Sequence, residues 1–195
     1  MLLFVRKSIR KGIKVKESHD RDILGIELCK SFFGLDSDLN IWFPYASPST
    51  SPYTKARQVP LFDSLEGNLL KDKDKDVLLM RDLNGKTSVE PNYISNMGDK
   101  FSPMTELDIY TKDVPKDRNN MDTSLPNEHG KNILDICKSH SLRILNGRTL
   151  GDRKGTFTRY PQIPKERPRV IDYAIISTKY LSSGFRIMNY LITAA

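Results

Sequence analysis

The chain reads as an α+β protein with mainly antiparallel sheet, and three features of the sequence predict this. Strand-like segments crowd the first 45 residues, at 13–15, 23–28 and 39–45, with polar turns between them. After residue 55 the apolar period changes, and Val59, Phe62, Leu65 and Leu69 recur at helical spacing. Two continuous apolar runs, Val77-Leu78-Leu79-Met80 and Val170-Ile171-Asp172-Tyr173-Ala174-Ile175-Ile176, read as strands buried on both faces. Strands first and strand–helix–strand afterwards is the order of an α+β arrangement.

Length and charge narrow the function classes. At 195 residues the prior is one domain spanning 1–195. The net charge of +7 favours an anionic partner such as nucleic acid. It is spread along the chain, and a basic surface with no ligand has the same composition. Cys29 and Cys137 are the only cysteines, so there is neither a disulfide framework nor a C-x-x-C zinc pair. The opening Met1-Leu2-Leu3-Phe4-Val5-Arg6 is too short an apolar run for a signal peptide, and no run reaches transmembrane length. The expected location is intracellular, nucleus or cytoplasm, and not secreted.

Taken in order, residues 2–5 predict a strand that begins at the chain's start, as if strands ahead of it were missing. A turn at Gly12 leads to a strand at 13–15, then to 23–28 with Ile26 and Leu28 inward, then to 39–45, rich in β-formers. These three form an antiparallel meander. Residues 47–52, SPSTSP, are a loop. Pro60 is tolerated only in a first turn, so the helix carrying Phe62 and Leu65 is expected to start near Arg57. KDKDKD at 71–76 is expected to be a solvated loop. Residues 88–126 read as a long irregular insertion. A helix follows at 132–139, a strand at 142–145, a turn at Asn146-Gly147, a strand at 156–158, a loop with three prolines at 161–168, and a last strand at 187–191.

Chemistry-bearing residues stand at the ends of the buried runs. The stretch DVLLMRDLNGKTS, residues 76–88, delivers Asp82 and Asn84 to a sheet edge. A carboxylate there can take a proton from water or help hold a divalent cation, and an amide can bond the water or a phosphate oxygen. The same two residues also suit a plain βα turn. Asp172 interrupts an apolar strand, and a buried unpaired carboxylate costs several kcal/mol. It is therefore either a cap for a neighbouring loop or a functional acid. Tyr45 ends the third strand, as a phosphate donor or as a core aromatic.

The order Tyr45-Ala46-x-Pro48, Val77 to Asn84, Asn146, Gly155-Thr156-Phe157-Thr158 and Val170 to Ser177 resembles the endonuclease/exonuclease/phosphatase family. Within it, the likeness is to the apurinic-type endonuclease domain of non-LTR (LINE-type) retrotransposons. The resemblance implies a four-layer, DNase I-like fold: a two-sheet β-sandwich flanked by helices, here lacking N-terminal strands and the C-terminal end. It implies cleavage of a DNA phosphodiester with Mg2+ (Mn2+ as the alternative), and a reverse transcriptase domain in the parent protein. Asp82 would orient and deprotonate the water, and Asn84 would hold the water or a phosphate oxygen. Tyr45 would bond the scissile phosphate, Asp172 would orient a histidine, and Thr156 and Phe157 would shape the DNA-facing wall.

The departures weaken the expected activity. The family's early Asn and metal-binding Glu have no counterpart, so no complete metal set is present, with Asp82 as the one candidate ligand. No Ser-Asp-His follows Ser177, and His19, His129 and His140 lie elsewhere in the pattern. Arg81 stands where the family has Gly, and pairing with Asp82 would make that carboxylate a poorer base. Arg169 stands where relatives often have Ser. The chain is expected to be weak or inactive alone. The other readings are a non-catalytic remnant that binds nucleic acid electrostatically and another phosphodiesterase or phosphatase of the same family.

Overall fold

Six strands form one sheet in the computed structural model, which describes residues 1–94, 117–163 and 165–181. They are β1 (Ile13–Lys16), β2 (Ile23–Leu28), β3 (Leu39–Pro44), β4 (Asp76–Asp82), β5 (Leu142–Ile144) and β6 (Asp172–Ser177), in the spatial order β1-β2-β3-β4-β6-β5. All neighbours pair antiparallel except β3 and β4. The predicted meander is β1-β2-β3. The parallel pair needs a crossover, and the helix α3 (Leu61–Lys71) supplies it. Two one-turn helices, α1 (Lys30–Phe33) and α2 (Pro52–Lys55), precede α3, and α4 (Glu128–Ser139) follows β4.

The helices α3 and α4 cover one face. Their Leu61, Phe62, Leu65, Leu69, Ile133 and Cys137 pack with Trp42, Leu79, Tyr173 and Ile175 of the sheet. On the other face Ile26, Leu39, Ile41, Leu78, Leu145, Ala174 and Ile176 make a second buried cluster. β4 and β6 are therefore apolar on both faces, as their unbroken runs predicted. Gly25 pairs with Trp42, and a Cβ at Gly25 would sit 2.3 Å from the indole. Only glycine leaves room for that ring. Among the described residues no helix is long and apolar enough to cross a membrane.

Several expectations are corrected. Residues 2–5 form no strand; among the described residues no strand pairs with them, and Leu2 and Phe4 are 84% and 91% exposed. The helix begins at Leu61 with Pro60 as its N-cap, which leaves Val59 exposed, while Ser51 caps α2 separately. Residues 156–158 are not a strand, since Asp152 and β6 take their polar groups; only an isolated bridge joins Arg159 to Arg169. The KDKDKD run is not wholly solvated. Asp72 is buried, accepting from Trp42 Nε1 at 2.9 Å and Lys16 Nζ at 2.5 Å. Asp76 is buried as well, bonded by Ser37, Tyr180 and Lys179. α4 starts four residues ahead of its predicted position because Asn127 caps it, accepting from the Gly130 N–H at 2.9 Å. The strand expected at 187–191 and much of the insertion expected at 88–126 lie outside the described residues.

Candidate functional site

The two carboxylates meet across the β4–β6 ladder. Asp82 is the last residue of β4, Asp172 the first of β6, and the register pairs them directly. Asp172 is thus at a strand end and not mid-strand. A backbone clamp fixes the geometry: the Leu83 N–H donates to the Ile171 carbonyl at 3.0 Å, and the Ala46 N–H to the Asp82 carbonyl at 3.0 Å. The end of β3, the end of β4 and the start of β6 form one rim.

Burial sets the charge state of the pair. It pushes the Asp82 carboxyl up to about 6, and the negative charge of Asp172 adds to the rise. The Asn84 N–H, donating to Asp82 Oδ1 at 2.9 Å, opposes it, as do Arg81 and Arg159 more weakly. Asp172 is also raised by burial, against a hydrogen bond from Thr158 and the charge of Arg81. The feared Arg81–Asp82 neutralisation is not the dominant effect. The Arg81 guanidinium lies over the Tyr45 ring, 5.7 Å from its centroid.

Asn84 sits at φ 45°, a left-handed conformation that asparagine tolerates well. Its Nδ2 donates to the Ala46 carbonyl at 2.7 Å, and its own carbonyl accepts from Asn127 Nδ2 at 3.1 Å. One amide N–H belongs to the scaffold, which leaves the amide oxygen and the second N–H for a ligand. Asn84→Ala is expected to cost about 1–3 kcal/mol, from the lost bond and the strained φ. Urea unfolding checks this, and a cost below 0.5 kcal/mol, taken as roughly the noise of a surface change, would contradict it.

Tyr45 is 37% exposed, which sets aside its reading as a core aromatic. It also lines a cavity of about 310 Å³ beside the rim, together with Tyr53, Phe62 and His129. Thr156 and Phe157 have local partners. The Thr156 N–H and Oγ1 both donate to Asp152 Oδ1, at 2.9 and 3.1 Å. Phe157 packs partly on the core and edge-on to Tyr160.

Four residues were missed or undervalued in the sequence. Thr158 Oγ1 accepts the N–H groups of Ile171 and Asp172 at 3.0 and 3.1 Å, holding the start of β6. Asn146 bonds β6 through both ends of its amide, to the Asp172 carbonyl and the Ala174 N–H, each at 3.1 Å. Its Asn-Gly setting read as a turn, and the family resemblance that includes it assigned it no role. Arg159 reaches the field of Asp82 through the 159–169 bridge, which no local motif announces. His129, in the first turn of α4, is buried, hydrogen-bonded to the Leu83 backbone and held below its ordinary pKa by desolvation. It is a neutral packing group beside the rim.

As an oxygen donor set for Mg2+, the rim offers two facing carboxylates. That matches the one or two carboxylates this ion takes alongside substrate phosphate. Among the described residues no group of three or more histidine, cysteine or acidic side chains converges.

Fold and rim together define a mixed α+β protein with a paired-acid edge on a mostly antiparallel sheet. Comparison of the chain with family models, curated proteins and solved structures found no match.

Proposed function

We propose that this rim is a phosphodiester-hydrolysing site of the endonuclease/exonuclease/phosphatase type, acting on DNA. The single observation that carries the reading is the direct register of Asp82 with Asp172 at a sheet end shared with Tyr45 and Asn84. Asp82, with its carboxyl raised to about 6, takes a proton from water near neutral pH. The Asn84 amide oxygen orients that water, and the Tyr45 phenol donates to a phosphate oxygen. When bound, Mg2+ (or Mn2+) would supply charge stabilisation at the phosphate; Asp172 would hold it, and Asp82 would serve as its ligand only in place of its role as the base.

The full architecture in this reading is a DNase I-like two-sheet sandwich. The buried apolar cluster opposite α3 and α4 supports it only in that a sandwich sheet is apolar on both faces. The parent protein is a retrotransposon-derived, intracellular one with a reverse transcriptase domain. The support is the ordered motifs from Tyr45 to Ser177, together with the net charge of +7.

Activity is expected to be slow, because the pair has no third converging ligand among the described residues and His129, beside the rim, is buried and hydrogen-bonded to the Leu83 backbone. Supercoiled plasmid incubated with the purified chain and Mg2+ at pH 7.5 should be nicked slowly, and Asp82→Ala should abolish the nicking. Duplex DNA bound at low salt but never nicked would favour the second reading, a non-catalytic remnant holding DNA electrostatically. Neither nicking nor binding would overturn both.

A further inference from the structure

The rim carries a cation where its two carboxylates need one. Two ionised acids facing each other repel an incoming phosphate ester as well as each other. Arg81 follows directly from the register: it precedes Asp82 on β4 and pairs with Tyr173, one step from the acid pair. Its side chain is exposed, yet its guanidinium is seated on the Tyr45 ring at 5.7 Å. A guanidinium held over a ring face spends none of its N–H donors on the contact, so its planar fork stays available for a phosphate edge. Its charge also acts on both Asp82 and Asp172, so the guanidinium lies within electrostatic reach of the acid pair. Among the described residues no carboxylate lies within 4 Å of it as an ion-pair partner. Arg159 also acts weakly on Asp82, but its guanidinium pairs with Glu166 at 3.3 Å in a solvent-exposed contact, so Arg81 is the cation of the rim that has no such partner among the described residues.

We propose that Arg81, held over Tyr45, grips the non-bridging oxygens of the phosphodiester at this rim. The inference rests on the phosphodiester reading above and adds to it the residues that bind the anion. The cation takes over phosphate holding from the histidine that this rim does not present. It also gives Tyr45 a second role, as the platform that orients the guanidinium.

Binding of a fluorescent duplex, followed by anisotropy across a salt series, tests this with the wild-type chain, Arg81→Met, Arg81→Lys and Lys73→Met. Lys73 is exposed in the loop that leads into the opposite end of β4, so Lys73→Met makes the same charge change away from the rim. Arg81→Met should weaken binding about tenfold at 50 mM salt and reduce the log–log salt slope by about 1, while Lys73→Met should leave the slope unchanged. Arg81→Lys should keep the slope and recover only part of the affinity, because a point charge lacks the planar fork. Equal losses in Arg81→Met and Lys73→Met would overturn the assignment while leaving the phosphodiester reading standing. A wild-type chain that binds no DNA at low salt would remove both.

Discussion

Asp82→Asn is expected to stabilise the fold at pH 8 and to abolish Mg2+-dependent nicking at the same time. Burial raises the folded-state carboxyl to about 6, above its ordinary value of 3.8. Between those values the native state binds more protons than the unfolded chain. The stability associated with the protonated acid is therefore complete below about pH 4 and is lost as pH rises through about 6. Asp172, raised by burial as well, adds a loss of the same sign. At pH 8 the wild type holds a half-buried anion that the amide variant does not. The gain should be on the order of 1–3 kcal/mol, towards the lower figure because solvent reaches part of the side chain. Urea midpoints at pH 4.5 and pH 8 measure it: the two proteins should converge at the lower pH and separate at the higher. A variant less stable than wild type at pH 8 would mean that Asp82 is held as a favoured anion, which would remove its role as a base. Stability gained while function is lost is the usual sign of a site kept at a cost to the fold.

Trp42→Ala should have the largest purely structural effect, about 3–5 kcal/mol of lost stability. The indole is 1% exposed in the middle of β3 and fills the space over Gly25. Its Nε1–H donates to Asp72 at 2.9 Å, and Lys16 Nζ lies 5.1 Å from its ring. Removing it opens a cavity and takes one donor from a buried carboxylate. Chemical denaturation reads the loss, and Trp42→Phe should recover more than half of it by refilling the volume. If Ala and Phe cost the same, the Asp72 bond and not the packing would be the dominant contribution.

How much of this was legible in the chain depended on whether the signal was local. β2, β3, β4 and β6 were readable because their apolar residues form period-2 or continuous runs that match no helix. α3 was readable from Phe62, Leu65 and Leu69, but its start was placed about four residues early, because Val59 fits the helical spacing while Pro60 is the N-cap. Residues 2–5 have strand-forming side chains, yet composition does not provide a pairing partner, and without one the backbone stays irregular. The KDKDKD run shows the same limit. Alternating charges look solvated until Trp42, Lys16, Ser37 and Tyr180, distant in sequence, supply partners for Asp72 and Asp76.

The site divides along the same line. Asp82, Asn84, Asp172 and Tyr45 could each be picked out, since each breaks an apolar pattern at the end of a strand. The contacts that position them come from elsewhere: Asn146 and Thr158 on β6, Asn127 under Asn84, Arg81 on Tyr45. None of these is encoded by spacing.

By itself the sequence determined an α+β chain with two doubly buried strands, one ending in Asp82 and the other interrupted by Asp172. That follows from side-chain periodicity, which neighbours along the chain are enough to define. Only the tertiary structure decided that the two aspartates are register partners, that burial holds one of them near neutrality, and that an arginine rests on the adjacent phenol. Those depend on which strands lie side by side, and β4 and β6 are joined by hydrogen bonds between residues about ninety positions apart.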